Sequence, residues 1–247
     1  MTELSENKYA FTLAETLITI GIIGIVAALT LPSLVAKYDE MVMVNKLKRT
    51  YAELANAIEL RKAELGTDSY ADQFNPEYSS MEQLEGFTKY LNVIEKCSSS
   101  ENKNGCGGIY KVKQKNKTND GYGNVSKGIS VGSDRVILND GTLIWFGKRN
   151  WTGNCEVTYT KYEKDENGNY TNIVDGKPVP QYYTAQHCAE IFFDINGPRK
   201  GRNQFGYDCY SFAVTPTKLN QHTGYGGLYD TIRTGKLTYE KYSEGKY

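Results

Sequence analysis

The feature that most constrains this 247-residue chain is a long uncharged, apolar stretch near its beginning. No Asp, Glu, Lys or Arg lies between Glu15 and Lys37. At a helical rise of about 1.5 Å per residue, this stretch forms a helix about 30 Å long, which matches the hydrocarbon core of a bilayer. The rest of the chain is rich in Gly, Tyr, Asn, Lys and Thr. The sequence therefore predicts one membrane segment followed by a part that folds in water.

The residues before the apolar stretch differ from an ordinary secretory signal. Such a signal has a basic start, an apolar region of about 7 to 15 residues, and a small-residue cleavage site after that region. Here the polar residues 1–9 end at the small residue Ala10, and the apolar run begins at Phe11. Cleavage between Ala10 and Phe11 would therefore keep the apolar helix in the mature protein.

The segment from Phe11 to Pro32 resembles the N-terminus of type IV pilins and type II secretion pseudopilins. In that family an aromatic residue follows the leader, a glutamate stands fifth in the mature chain and a proline stands about twenty-second. Phe11, Glu15 and Pro32 occupy these places. The resemblance covers about residues 8–65. Ala10 departs from the family pattern, because the usual residue before the cleavage site is glycine.

This resemblance implies a domain organisation, a set of partners and a location. It implies that residues 1–10 are a leader removed by a prepilin peptidase, that Phe11 is N-methylated, and that residues 11–36 form a transmembrane assembly helix. Residues 37–247 would be a periplasmic or extracellular pilin-like head that includes the amphipathic half of the helix. The partners would be other subunits and an inner-membrane assembly platform with its ATPase. The protein would begin as a single-pass prepilin of the bacterial inner membrane, then enter a periplasmic pseudopilus or a cell-surface fibre.

Glu15 and Pro32 are the residues of the apolar helix with the most distinctive chemistry. A carboxylate in hydrocarbon is costly and usually marks a function or a specific partner. The free amine of Phe11 in a neighbouring subunit would neutralise Glu15 and set the register of a filament. Alternatively, Glu15 lies at the membrane edge, where the helix dipole favours an anion. Pro32 lacks a backbone N–H and predicts a kink near Ala28, or else it ends a transmembrane anchor.

Beyond Pro32, apolar residues continue at helical spacings of three and four, with one turn skipped: Val44, Leu47, Tyr51, Leu54, Ile58 and Leu65. This pattern predicts that the helix continues to about Leu65. A second helix is predicted over residues 81–96, and Asp140-Gly141 predicts a hairpin with Val136, Leu138, Leu143 and Trp145 on one buried face. Strands at 188–193 and 207–214 would complete the sheet. The predicted fold is α+β, with a long kinked N-terminal helix packed on an antiparallel sheet.

The five cysteines all follow the apolar segment, and in an oxidising compartment they would pair. One cysteine must remain unpaired, and sequence alone allows fifteen arrangements of two disulfides. We favour Cys97 with Cys106, which closes a short polar loop, and Cys155 with Cys188, which closes a long insertion. Cys209 is then left unpaired. A zinc site is the weaker interpretation, because no Cys-x2-Cys motif or nearby His supplies the ligands.

Asp194, Asn196 and Asp208 offer oxygen ligands on a glycine-rich segment. This segment is similar to the C-terminal loop of some pseudopilins, which binds calcium in part of the family. The EF-hand pattern fails, because Pro198 and Phe205 occupy two of its ligand positions. A plain turn, in which Asp194 and Asn196 bond their own backbone, is the favoured interpretation. We therefore expect no cofactor, and calcium bound by Asp194, Asn196 and Asp208 is the alternative.

Catalysis and nucleic-acid binding find little support in the sequence. Only two histidines occur, His187 and His222, and no nucleophile motif or phosphate loop accompanies them. Lys plus Arg and Asp plus Glu both number 29, so no net charge attracts nucleic acid. The lysine-rich run 111–117 has no interleaved aromatic residue. We expect neither an enzyme nor a nucleic-acid-binding protein.

Two functions of different class remain. The first is a structural subunit, a prepilin or pseudopilin, that polymerises through its N-terminal helix into a type IV pilus or a type II secretion pseudopilus. The alternative is a membrane-tethered protein whose head binds a sugar or DNA and does not polymerise. Glu15 favours the first function, because a simple tether needs no carboxylate within its lipid segment.

Overall fold

The computed structural model describes residues 12–99, 106, 110–115, 129–131, 133–148, 153–198, 200–221 and 227–240. The chain divides into two compact units, Met1–Val42 and Met43–Tyr247. The second unit, called the head below, contains the sheet and both disulfides. The fold is α+β, with a long apolar N-terminal helix and an antiparallel sheet domain.

Helix α1, Leu13–Glu64, extends over 52 residues. Leu, Ile and Ala dominate its first half, and Arg61 and Lys62 in its last turn complement the helix dipole. Gly66, with φ of 65°, follows the helix and accepts the left-handed conformation that commonly ends one. Pro32 lies inside the helix, which continues past both Ala28 and Pro32, so Pro32 does not end it.

Two short helices follow, and the second is shorter than predicted. A 3-10 helix spans Tyr70–Phe74, and α2 spans Ser80–Thr88. Ser79 caps α2 through a reciprocal capping box with Glu82. The predicted helix over residues 81–96 is therefore wrong in its second half, because Val93–Cys97 forms strand β1 instead.

The head is built on a six-stranded sheet whose strands are, in spatial order, β1, β4 Arg135–Leu138, β5 Leu143–Lys148, β10 Ala189–Asp194, β11 Cys209–Val214 and β12 Leu219–Gln221. Every neighbouring pair in it is antiparallel. The turn at Asp140-Gly141 joins β4 to β5, as the sequence predicts.

Residues 43–64 of α1 pack on one face of this sheet. Leu47, Leu54 and Ile58 are fully buried there, with Phe74 and Phe87 from the short helices beside them. This first core cluster also takes alternate residues of the central strands: Val136, Leu138, Ile144, Phe146, Ile191, Phe193, Tyr210, Phe212 and Val214. Burial of each large side chain contributes about 1.5 to 3 kcal/mol before the entropy cost of ordering.

A second core cluster lies on the opposite face of the sheet. It comprises Val112, Ile137, Leu143, Trp145, Phe192, Phe205 and Cys209. Val136 and Leu138 were predicted to lie on the same face as Leu143 and Trp145, and this prediction was wrong. In the observed register Val136 pairs with Ile144 and Ile137 pairs with Leu143, so the alternation sends the two sets to opposite faces.

Three two-stranded ladders complete the described strands. β2 Tyr110–Val112 pairs with β3 Ile129–Val131. Between β5 and β10, β6 Glu156–Lys161 pairs with β9 Gln181–Gln186, and the short strands β7 Ile173–Val174 and β8 Lys177–Pro178 form a hairpin. Helix α3, Leu228–Thr234, packs near β11.

Candidate functional site

The first part of α1 presents apolar side chains on all sides. Its large apolar residues from Leu13 to Val35 are 53 to 78% exposed. Its most apolar 18-residue window has a mean hydropathy of 2.3, and none of that window is buried. Among the described helices α1 is therefore long and apolar enough to cross a membrane, which fits a single-pass membrane protein. A signal sequence near an N-terminus can have the same length and apolar composition.

Glu15 has a local role that the sequence analysis missed. Its Oε2 atom accepts hydrogen bonds from the Thr12 backbone N–H at 2.8 Å and from the Thr12 hydroxyl at 2.9 Å. The Glu15 N–H donates to Thr12 Oγ1 at 3.2 Å. These reciprocal bonds form a capping box, and Thr-x-x-Glu is its sequence signal. Glu15 therefore stabilises the beginning of α1 in addition to any pairing between subunits.

The two residues at the predicted cleavage site, Ala10 and Phe11, lie outside the described residues. Pro32 lies within the exposed apolar part of α1, 17 positions after Glu15. Two hydroxyl groups nearby bond to the helix backbone: Thr30 donates to the Val26 carbonyl and Ser33 donates to the Thr30 carbonyl, both at 2.9 Å. Such bonds satisfy polar side chains in apolar surroundings without a partner helix.

The two disulfides join Cys97 to Cys106 and Cys155 to Cys188. They are the two pairs that the sequence analysis favours. The Cys97–Cys106 bond ties the end of β1 to a residue whose carbonyl accepts a hydrogen bond from buried Arg135 at 3.1 Å. The Cys155–Cys188 bond closes the chain across the start of β6 and the start of β10. All four cysteines of these disulfides are fully buried.

Glu95 lies beside the first disulfide, so that one ligand atom from each of Glu95, Cys97 and Cys106 falls within 4.8 Å of the others. Metal ions bind cysteine as the thiolate. Since both sulfurs are covalently joined to each other, this group does not supply the thiolates that a zinc site requires.

The structure brings Asp194, Asn196 and Asp208 together in the loop between β10 and β11. Asp208 accepts three backbone N–H bonds, from Arg202, Asn203 and Gln204, at 2.7 to 2.9 Å. Asp194 Oδ1 accepts the N–H groups of Asn196 and Gly197, at 3.0 and 3.1 Å. Both carboxylates are fully buried, and burial raises the pKa of Asp208 although the N–H donors oppose the rise.

A glycine allows this close approach. A Cβ at Gly201 would collide with the side chains of Asp208 and Asn196, and its φ of 69° lies in the left-handed region. Calcium takes six to eight oxygen ligands. Here Asp194 Oδ1 and both carboxylate oxygens of Asp208 accept hydrogen bonds from N–H groups of the loop itself. The arrangement is the one that the turn interpretation predicts, and calcium binding by these residues stays a prediction.

Cys209 is the described cysteine without a disulfide partner, and it is fully buried. Its thiol lies near the carboxylates of Asp194 and Asp208. Burial raises the pKa of the Cys209 thiol well above its ordinary value of 9.0, and the two carboxylates add to the rise. Because only the thiolate is a strong nucleophile, we expect Cys209 to be unreactive in the folded protein.

His187 is 7% exposed and its Nδ1 atom lies 2.7 Å from the hydroxyl oxygen of Tyr159. Its backbone N–H donates to the Cys155 carbonyl at 2.6 Å. His187 therefore belongs to the packing around the second disulfide. His222 lies outside the described residues.

Comparisons with known proteins found no relative of this chain. A scan against protein-family models, a search of curated proteins and a search of solved structures each returned no match. The features that bear on function are therefore the N-terminal motif, the exposure of α1 and the arrangement of the head.

Proposed function

We propose that this chain is a structural subunit that polymerises through its N-terminal helix into a type IV pilus or a type II secretion pseudopilus. The observation that carries the proposal is helix α1. Its first part is apolar on every side, and Glu15 is its only carboxylate between Leu13 and Tyr38. Its last part supplies the buried residues Leu47, Leu54 and Ile58 of the head. Such a helix can pack against copies of itself while it carries a folded domain.

A simple membrane tether does not explain this construction. A tether needs only enough apolar residues to cross the bilayer, and it can be joined to its domain by any linker. In this chain one uninterrupted helix of 52 residues contains both the apolar segment and part of the core of the head. Continuity of this kind joins the head directly to the apolar segment, with no linker of other structure between them.

The pairing of charges between subunits would set the register of that packing. Cleavage before Phe11 would create a free α-amino group four residues before Glu15. In a staggered stack of helices, the amine of one subunit can lie beside the Glu15 carboxylate of another. A shift of the stack would leave both charges unpaired in apolar surroundings, which costs several kcal/mol per buried ion by order of magnitude. The stagger that pairs the Phe11 amine with Glu15 is therefore favoured in free energy over staggers in which the helices are shifted along the stack.

The proposal includes the partners and location that follow from polymerisation. A prepilin peptidase would remove residues 1–10, and an inner-membrane platform with its ATPase would extract each subunit from the bilayer. The disulfides Cys97–Cys106 and Cys155–Cys188 support a head that folds outside the cytoplasm, because such bonds persist in oxidising compartments.

Two substitutions separate the charge of Glu15 from its capping role. Glu15→Gln removes the charge and retains the capping box, in which Gln can replace Glu. Thr12→Ala removes the capping side chain, at a cost of about 1 kcal/mol, and retains the charge. We expect Glu15→Gln to abolish or greatly reduce fibres and Thr12→Ala to leave them, as measured by electron microscopy and mass spectrometry of sheared cell-surface material.

The same measurements contain the outcomes that contradict the proposal. Normal fibres from Glu15→Gln, together with few fibres from Thr12→Ala, would make Glu15 a helix cap and not a pairing partner. If the wild-type chain occurs in neither surface fibres nor envelope pseudopili, it does not polymerise, and the membrane-tethered binding protein replaces the proposal. Abundance in sheared fibres indicates a pilus subunit, whereas retention in the envelope indicates a secretion pseudopilus.

A further inference from the structure

Residues 156–186, called the arm below, contribute to neither core cluster. The arm consists of the β6–β9 ladder and the β7–β8 hairpin. Much of its apolar surface is exposed, with Tyr182 at 70% and Val174 at 58%. The large apolar residues that the arm exposes are Tyr162, Tyr170, Ile173, Val174, Tyr182 and Tyr183. A concentration of exposed apolar side chains of this kind marks an interaction surface.

The arm has too few strands to be stable through its own packing. A two-stranded ladder is marginally stable in water, and a third strand or a packed helix is normally needed. The arm is closed at its base by the Cys155–Cys188 disulfide. Across the ladder, the rings of Tyr159 and Tyr183 stack with centroids 5.4 Å apart. The disulfide and this aromatic pair hold the arm together, but its outer edges have no further strand among the described residues.

The ladder pattern shows which backbone groups point outward. The His187 N–H donates to the Cys155 carbonyl at 2.6 Å, in the same register as the six pairs of the ladder. Antiparallel strands alternate between residues that bond across the ladder and residues that face away. Counting from Cys155, the N–H and C=O groups of residues 156, 158 and 160 on β6 face outward, and the Glu156 N–H already donates to Asn154 Oδ1 at 3.0 Å. On β9, those of residues 182, 184 and 186 face outward.

The central parts of these two edges lack the features that protect an exposed strand, although β6 has a charged residue at each end. Natural edge strands are usually short, interrupted by a bulge or proline, or marked by charged side chains. The arm pairs six residues on each strand without a register shift. The central positions 157–160 and 182–185 contain no charged residue and no proline, and Thr, Tyr and Val favour extended structure. Both edges therefore have the chemistry of strands that accept another strand.

We infer that the arm pairs by strand addition with the arm of a second copy of this chain, β6 of one copy against β9 of the next. This inference rests on the proposed function, since polymerisation brings copies together. The edges are compatible in charge: β9 has no charged residue, so β6 can meet it in any register without opposing like charges. Two different open edges allow each copy to contact two neighbours, as an open helical assembly requires and a closed two-fold dimer does not.

Proline at an outward-facing position tests the inference. Thr158→Pro and Thr184→Pro each remove one outward N–H and leave the bonds within the arm intact. Thr158→Val and Thr184→Val are the matched controls, because they remove the hydroxyl and retain the N–H. We expect both proline variants to lose long fibres or to form fibres that break on mild shearing, while both valine variants resemble the wild type. Peptide mapping should show the Cys155–Cys188 bond in all four variants.

A crosslinking experiment decides the outcome if a proline variant misfolds. Full-length Thr160→Cys and Thr184→Cys chains with different tags are produced in the same cells and treated with a short bismaleimide. Pairing of β6 with β9 predicts mixed dimers in clear excess over dimers of either chain with itself. Homodimers in excess, or no dimers, would overturn the inference.

Failure of the arm pairing and failure of polymerisation give different results. Fibres of normal length and strength from both proline variants, which also retain the disulfide, would overturn the arm inference and leave the proposed function standing. Mixed dimers in cells whose wild-type chain forms no fibre or pseudopilus would support arm pairing and overturn the proposed function.

Discussion

Asp194 and Asp208 hold a tight loop by satisfying its backbone N–H groups. Asp208 alone accepts three such bonds and is fully buried. A buried N–H group left without an acceptor costs about 1 to 3 kcal/mol. The carboxylates therefore stabilise the connection between β10 and β11, and they place two acidic groups beside the thiol of Cys209.

Cys209 should resist modification in the native protein. Its thiol is fully buried, and burial with the neighbouring carboxylates raises its pKa well above the ordinary value. We expect iodoacetamide at neutral pH to leave Cys209 unmodified under native conditions and to modify it fully in denaturant without reductant. Mass spectrometry of tryptic peptides measures both states. Rapid native labelling would contradict the burial of this side chain.

At the scale of elements, the end of α1 is joined to α2 and its following turn by an exposed carboxylate. Glu64 accepts hydrogen bonds from Arg61 at 2.7 Å and Tyr90 at 2.8 Å, and it also pairs with Lys89. The bond from Lys89, followed by those from Arg61 and Tyr90, lowers the pKa of Glu64 to about 2. The ionised form of Glu64 is therefore favoured in the folded protein.

This cluster predicts a pH-dependent effect of Glu64→Gln. Because the folded pKa lies below the ordinary value of 4.5, the ionised carboxylate stabilises the fold above about pH 4.5, and this contribution is lost as the pH falls toward about 2. We expect Glu64→Gln to lower the free energy of unfolding slightly at pH 7, with the difference from wild type disappearing near pH 2. Denaturant titrations followed by near-UV circular dichroism measure this. Added salt should also reduce the difference, because the group is exposed.

The elements that local patterns specify were predicted well. The three- and four-residue spacing of Val44, Leu47 and Leu54 predicted the second half of α1, and Asp140-Gly141 predicted the β4–β5 hairpin. The end of α2 was not predicted. Tyr90, Leu91 and Ile94 have helical spacing, but pairing of β1 with β4 outweighs that local preference.

In the candidate site, too, some features could be predicted from local sequence and others could not. The capping role of Glu15 could have been predicted, because Thr12-x-x-Glu15 is a local signal. The burial of Cys209 could not, since it depends on how β10, β11 and their connecting loop meet in space. The shared face of Leu143 and Ile137 likewise depends on strand register, which the turn sequence alone did not fix correctly.

At the scale of the whole molecule, the chain combines an exposed apolar helix with a head that has two buried sheet faces. The proposed function requires that the apolar helix remain attached after processing. Cleavage on its N-terminal side is therefore essential, whereas cleavage on its C-terminal side would release a head without its assembly helix.

Processing should be sensitive to the size of residue 10. We expect Ala10→Leu to block maturation, because a larger side chain crowds a protease subsite that accepts small residues, and Ala10→Gly to mature at least as well as the wild type. N-terminal peptide mapping of membrane-extracted protein should find methylated Phe11 in the wild type and Ala10→Gly. Wild-type protein that retains Met1 in cells with an active prepilin peptidase would contradict the predicted cleavage.

The bond between Cys155 and Cys188 also determines what a protease can do to the head. The arm is exposed and carries lysines such as Lys161 and Lys164, so it is a natural place for a nick. A single cut anywhere between residues 156 and 186 leaves the two fragments covalently joined through the disulfide. The sheet would keep β10 beside β5 and β11, and a nicked subunit would stay in one piece until the disulfide is reduced.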